Sequence, residues 1–368
     1  MQKTGSGRST TVSALCAALF FLCLPFGRLT AEPRDALRFM TQNAWPGLDY
    51  VGDIKMGYVD SDEHRERRFR ALVQEIRAQQ ADVVSINEAN ILPGFAKRLA
   101  RELGYDYIYD VSDSGVRIGG MGFPINMRSG DVILARKDLK LRRVGRRRLS
   151  GGPQSKFGSF NFDDGTEILV GRVSLGGKDI FVATTHPHSS VPLNGWSLGL
   201  MDELKARWSY SDGEYSKAME RLESESARRR SEFDAMAAYL RKIVPAGAAL
   251  VLMGDFNAEA DWPEMRSFFE GNYRDTYALA NGDPGFTWDA ECNDNIKSYY
   301  KADLNRKFDA LYDHLYEYSN FVRWRIDFIL ANMNIPVDAI KQSMLCGDTI
   351  IDGVHPSDHF GVISTIGF

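Results

Sequence analysis

Cysteine is scarce in this chain. Four occur in 368 residues, and Cys16 and Cys23 belong to one apolar run near the N-terminus, which leaves Cys292 and Cys346. So few thiols exclude a disulfide-dense scaffold and a cysteine-ligated zinc module. One disulfide or two separate thiols are both permitted. An excess of positive charge is missing too: 45 Lys and Arg stand against 49 Asp and Glu, a net charge of -4. A non-specific DNA binder is more often basic. No internal repeat or low-complexity segment is visible. Long hydrophobic runs are absent but for Val12–Phe26, which is too short for a comfortable membrane span. Lys3 and Arg8 precede that run and Arg28-Leu29-Thr30-Ala31 follows it. The pattern is that of a secretory signal cut after Ala31, with a retained N-terminal anchor as the alternative. Removal of residues 1–31 takes three basic residues away, so the net charge falls from -4 to -7. The expectation is a secreted or periplasmic protein, residues 32–368, with no transmembrane segment in the mature chain.

What the sequence does hold is a succession of apolar runs that end in polar groups. ALRFMTQNA ends near Asn43, ADVVSINEAN carries Glu88, FVATTH ends at His186, and ALVLMGDFN delivers Asp255 and Asn257. Each reads as a buried strand whose polar residues sit where it emerges. The stretch Glu63–Gln80 reads as a helix, because Phe69, Leu72, Val73 and Ile76 repeat at helical spacing. A second helix opens at Pro93 and closes near Gly104. Asp113–Gly130 reads as a loop. Strands and helices alternate at first and then give way to hairpins. Residues 191–226 interrupt this order as an insertion rich in Trp and Leu, and the next sheet-packing helix is expected from about Ala227.

The candidate site residues follow from these strand ends. Glu88 is a metal ligand candidate, and oxygen ligands without thiolate suit Mg²⁺, or Mn²⁺. Asp255 and Asn257, two apart, face one side of an extended segment. The carboxylate orients water, and the neutral amide donates to a phosphate oxygen. Asn43 offers the same neutral chemistry. Histidine is rare, with six in all, and four fall in two short segments. His186 is the stronger of the first pair, with His188 orienting it or lining the entrance. His359 is a base or phosphate-binding candidate that needs an orienting acceptor, and Asp327 is the nearest candidate. Asp358 points away from His359 and toward His186 or the metal.

TQNA, SINEAN, TTHPHSS, MGDFNAE, RIDFIL and PSDHFG occur in this order. Together they resemble the endonuclease/exonuclease/phosphatase superfamily, related to pancreatic deoxyribonuclease. The resemblance implies an α/β four-layer sandwich, two mixed β-sheets face to face with helices outside. It implies Mg²⁺ on Glu88 with Asn43 close by, Asp255 aligning water, and Asn257 holding a phosphoryl oxygen. His186 and His359 would stabilise the transition state, and Asp327 would orient His359. THPH and FTWDAECNDNI further resemble the neutral sphingomyelinase branch, with Asn293 or Asn295 at the position of that branch's substrate asparagine. A phospholipid and a peripheral membrane surface are then the expected partners, and nucleic acid the weaker one. The rival readings are a secreted nuclease, a phosphomonoesterase acting on inositol phosphates, and an inactive binding module. ARKDLKLRRVGRRR (Ala135–Arg148), with eight basic residues, would suit DNA phosphates or anionic headgroups.

Overall fold

Along the first strand, Leu37 and Phe39 face one way and Met40 the other, the period-2 pattern of a strand buried on both faces. The computed structural model describes residues 35–49, 57–118, 121–123, 127–152, 158–160, 164–300 and 302–368. The expected signal segment and its cleavage point lie outside them. The chain from Arg34 to Phe368 folds as one unit.

Twelve of the strands build two sheets. They are β1 (Ala36–Asn43), β2 (Val83–Ala89), β3 (Tyr105–Asp113), β4 (Ser129–Arg136), β5 (Arg142–Ser150) and β6 (Thr166–Leu175), then β7 (Lys178–Thr185), β8 (Ala249–Asp255), β9 (Tyr273–Asp275), β10 (Asp327–Asn332), β11 (Ile340–Cys346) and β12 (Gly361–Gly367). The first six-stranded sheet runs β11-β12-β1-β2-β4-β3, the second β9-β10-β8-β7-β6-β5. Both are mixed: β1 and β2 are parallel, with Asn43 opposite Asn87, and β7 and β8 are parallel, with Thr185 opposite Gly254.

Leu37, Phe39, Val83 and Ile133 of the first sheet pack against Leu169, Val182, Val251 and Ile329 of the second. Each such fully buried side chain is worth roughly 1.5–3 kcal/mol. On the outer face of the first sheet, Met40, Val84 and Val132 meet Leu72 and Ile76 of α1 (Asp62–Ala78) and Leu99 of α2 (Gly94–Leu103). The second sheet is covered by α4 (Asp212–Ile243) and α5 (Pro263–Phe269), with Phe233 stacked between Phe256 and Phe268. This is the expected four-layer sandwich.

Two local expectations change. The Asp113–Gly130 stretch holds short strands, Val116–Ile118 and Met121–Phe123, in a three-stranded sheet with Gly158–Phe160. No new helix begins near Ala227. After α3 (Gly195–Trp208), α4 runs unbroken through that point, opened by a Ser211–Glu214 capping box. Its first half packs Ala218 and Leu222 with α3 and with the helix Leu311–Ser319, and its second half packs Phe233, Met236 and Leu240 on the sheet. One helix therefore belongs to both the inserted segment and the body. Cys292 is exposed, Cys346 is buried, and both are free thiols. Among the described residues no helix is long and apolar enough to cross a membrane.

The basic strip forms the edge strand β5 and the turn before it. Arg146 is 2.5 Å from Asp110, and Arg148 donates to the Ser112 carbonyl at 2.7 Å. Arg136 pairs with Asp82 and Asp138. Much of that charge is neutralised within the fold.

Candidate active site

A polar seam crosses the apolar space between the sheets at one end. Asn87 of β2 donates to Thr185 O of β7 at 3.0 Å and to Asp131 Oδ1 of β4 at 2.7 Å. Its own side-chain oxygen accepts from Asp255 N at 3.0 Å. Ser85 and Thr184 hydroxyls meet at 2.6 Å. The seam fixes the two parallel strand pairs so that their carboxyl ends open on one cavity. Gly254 is required there. Its φ is +140°, and a Cβ would lie 2.1 Å from Thr185 O, so only glycine lets β8 pass β7 this closely just before Asp255.

Asn43, fully buried, links the two sheets. Its Nδ2 donates to Glu88 Oε1 at 3.0 Å and to Asp255 Oδ2 at 3.1 Å. Glu88 and Asn257 both hold positive φ, 55° and 49°. Backbone held in this region by its surroundings is a mark of functional sites. His186 Nε2 lies 3.7 Å from Glu88 Oε1 and 3.6 Å from Asp255 Oδ2. Asn257 donates to Pro187 O at 2.9 Å, which fastens the loop after His186. His359 Nδ1 faces Asp327 Oδ2 at 2.9 Å and Asp255 Oδ2 at 3.7 Å.

These charges set the protonation. Burial works against a charged His359, but Asp327 and Asp255 outweigh it and raise the imidazole well above its usual range. Burial likewise opposes charge on His186, and Asp255 with Glu88 raises it. Asp358, buried and near Glu88, is pushed up to about 7. Asp131, fully buried, is pushed up to about 6 by burial, with the His186 charge drawing it down.

Carboxylates therefore outnumber cations at this end of the cavity. Asp255, Asp327 and His359 present ligand atoms within 4.8 Å of one another, and Asp327 Oδ1 is buried without a hydrogen-bond partner. A protonated His359 offers that trio no lone pair, so the carboxylate oxygens, free of thiolate, are the donors that fit a hard divalent cation. Glu88 and Asp358 add two further carboxylates on the same cavity.

Asn43, Glu88, His186, Asp255, Asn257, Asp327, Asp358 and His359 thus converge. Of these, Asn43 and Asp327 stand behind the cavity lining, and three other candidates lie apart from the group. His188 turns away, its Nδ1 2.9 Å from Asp164 Oδ2 and its Nε2 on Glu225. Those carboxylates raise it to about 9 against the effect of burial. Asn293 and Asn295 donate to Ser357 O at 3.0 and 2.8 Å, so they hold the loop that carries Asp358 and His359. The segment before them acts the same way. Thr287 Oγ1 accepts from Ile326 N and Asp327 N, each at 3.1 Å, and Thr287 O accepts from Phe360 N at 2.7 Å.

Sequence reasoning missed Asp131 and Gln42. Asp131 heads the apolar run VILA, the mirror image of a strand-end signal. Gln42 donates to His359 O at 2.8 Å, tying β1 to the last loop.

The cavity has a volume of about 490 Å³. Among the described residues that line it there is no Lys and no Arg, while Glu88, Asp113, Asp164, Asp255, Glu317 and Asp358 all do.

A family model described as "Endonuclease/Exonuclease/phosphatase family" matches residues 55–359. Solved structures share the fold. D. rerio TDP2 complexed with single-strand DNA product is 17% identical, covers 91% of this chain and 100% of its own, and has a TM-score of 0.53. The human Nocturnin catalytic domain with bound sulfate anion is 15% identical, with 91% and 95% covered and a TM-score of 0.52. An endonuclease/exonuclease/phosphatase family protein from Bacteroides thetaiotaomicron is 14% identical, with 90% and 98% covered and a TM-score of 0.53. No curated protein matches the chain.

Proposed function

This chain belongs to the endonuclease/exonuclease/phosphatase family of metal-dependent phosphoric ester hydrolases, and we propose that it is an exported phosphodiesterase that cleaves a phospholipid headgroup ester in the manner of a sphingomyelinase. The observation that carries the reading is the closed set Asn43–Glu88–Asp255 with His186 and His359 on either side. Glu88, with Asn43 and Asp358 beside it, would hold one Mg²⁺, which supplies Lewis-acid stabilisation of charge on the phosphoryl oxygens.

The chain's own residues do the rest. Asp255 aligns a water for in-line attack and takes its proton as the new P–O bond forms. His186 and His359, both held as cations, face the charge that develops on the phosphoryl group. As the ester P–O bond breaks, one of the imidazoliums protonates the departing oxygen. Asn257 keeps one amide hydrogen for a phosphoryl oxygen, since its other goes to Pro187. Positioning and electrostatics supply most of the acceleration.

A lipid headgroup rather than a nucleic-acid strand is favoured by the lack of Lys and Arg among the described residues that line the cavity, because strand binding rests on Lys and Arg contacts to successive phosphates. A secreted endonuclease is the second reading, and the exposed arginines of β5 favour it. The test is one panel with Mg²⁺ and with EDTA: sphingomyelin, phosphatidylcholine, plasmid DNA and a phosphomonoester. Hydrolysis of the choline lipids alone, lost in D255A and H359A with the fold intact, supports the proposal. Plasmid nicking that falls steeply with salt, without lipid cleavage, replaces it with the second.

A further inference from the structure

The cavity has a second end. Trp288 packs edge-on against His359, centroids 5.0 Å apart, and against Tyr300 at 5.5 Å. Tyr299 packs edge-on against Tyr300, centroids 4.6 Å apart, and Tyr316 and Glu317 line the same cavity. The lining therefore runs from the catalytic imidazole along an aromatic wall to Tyr316 and Glu317 on the helix Leu311–Ser319, then to Asn320 and Trp324.

The chemistry of that wall is specific. Both indole N–H groups are already used: Trp288 donates to Asn320 O at 3.1 Å and Trp324 to Ser319 O at 3.0 Å. These rings offer only π surface to the cavity. Burial raises the Glu317 carboxyl, the Asn320 amide draws it down by a hydrogen bond, and no Lys or Arg is among the groups that shift it. Aromatic faces with an uncompensated carboxylate bind a positive group that carries apolar substituents.

We propose that this outer half of the cavity is a subsite for a substituted ammonium group borne by the phosphodiester, with Tyr316, Glu317 and Trp324 setting specificity. It rests on the phosphodiesterase reading above. The inserted helices are what hold it in place. Trp196 of α3 packs edge-on against Trp324, centroids 5.2 Å apart. Leu311 and Leu315 pack with Met201, Leu204 and Leu222. Glu225 of α4 grips His188, which grips Asp164 on the cavity lining.

The experiment compares p-nitrophenyl phosphocholine with its uncharged isostere, p-nitrophenyl 3,3-dimethylbutyl phosphate, using the purified protein with Mg²⁺. The wild type is expected to favour the cationic ester in kcat/KM by about tenfold or more, and E317Q and Y316L to bring that ratio to about twofold. Equal rates on both esters in the wild type overturn the subsite and leave the phosphodiesterase reading standing. A wild-type preference that neither variant changes also overturns it. Hydrolysis of neither ester removes the reading beneath it, and the subsite with it. The wild-type ratio needs no variant, so a variant that misfolds leaves the proposal exposed to refutation.

Discussion

The Nδ1 nitrogen of His359 stands 2.9 Å from Asp327 Oδ2, in a buried pair that ties the loop before β12 to the start of β10. The backbone N–H of Asp327 is itself fixed by Thr287 Oγ1, so the carboxylate is a rigid reference for the ring. The proton between the two resides on the imidazole, because the negative charges of Asp327 and Asp255 hold the ring in its cationic form.

Asp327→Asn keeps the shape and removes that charge. The ring then loses both its orientation and its stabilised cationic form. The expected result is a drop in kcat of about 10²–10⁴-fold with a KM change of no more than a few-fold, since proton transfer by a positioned group contributes at this scale. Steady-state kinetics on a chromogenic phosphodiester, with circular dichroism as the fold control, measure it. A variant with wild-type kcat removes Asp327 from the mechanism.

Metal dependence has a readout besides turnover. Crowded carboxylates around Glu88 and Asp358 repel one another in the folded state, and a bound divalent cation relieves that. Mg²⁺ at about 100 times its Kd stabilises the fold by about 2.7 kcal/mol, an increase in Tm that EDTA reverses. Glu88→Gln removes the shift at the same Mg²⁺ concentration. An identical Tm with Mg²⁺ and EDTA in the wild type contradicts the ligand assignment.

These residues were legible because each stands at the end of an apolar run, where burial of the strand forces its polar terminus toward one edge. Asn43, Glu88, His186 and Asp255 share that logic, and the six motifs in order carried the fold. Other features had no local signal. His188 lies two residues from His186 yet faces the opposite way, because Asp164 and Glu225, far away in sequence, capture its ring. Asn293 and Asn295 spend their amides on the Ser357 carbonyl, a long-range pairing that no spacing encodes. Tyr316 and Glu317 sit on a short helix that reaches the cavity only because α3 and the first half of α4 support it.

The His188 cluster predicts a pH dependence of stability. Its folded pKa, about 9, lies above the ordinary value of 6.5. A raised histidine contributes stability that is fully present below the unfolded value and is lost as pH rises through the folded one. Urea midpoints should therefore fall between about pH 6.5 and pH 9. Glu225, against burial, and the more exposed Asp164 are both drawn down chiefly by their bonds to His188. Their contribution is present above ordinary carboxylate values and is lost as pH falls through the depressed ones. In His188→Gln the fall over the alkaline window should flatten. An unchanged slope there shows that the titration belongs to other groups.

Arg229 and Glu264 form a wholly buried ion pair between α4 and α5, and the same guanidinium holds Ser190 through its carbonyl at 3.0 Å and its hydroxyl at 2.6 Å. Ser190 lines the cavity four residues after His186. Arg229→Met leaves the Glu264 charge buried and alone, which costs about 3–5 kcal/mol of unfolding free energy in urea titrations. The double change Arg229→Met, Glu264→Leu replaces both charges with apolar volume and should recover most of that loss. Activity should not recover with it, because neither new side chain can hold Ser190 and the loop after His186 stays loose. A double variant with both stability and kcat restored would show that the pair serves the core alone; restored stability with kcat still depressed would show that α4 positions the histidine loop.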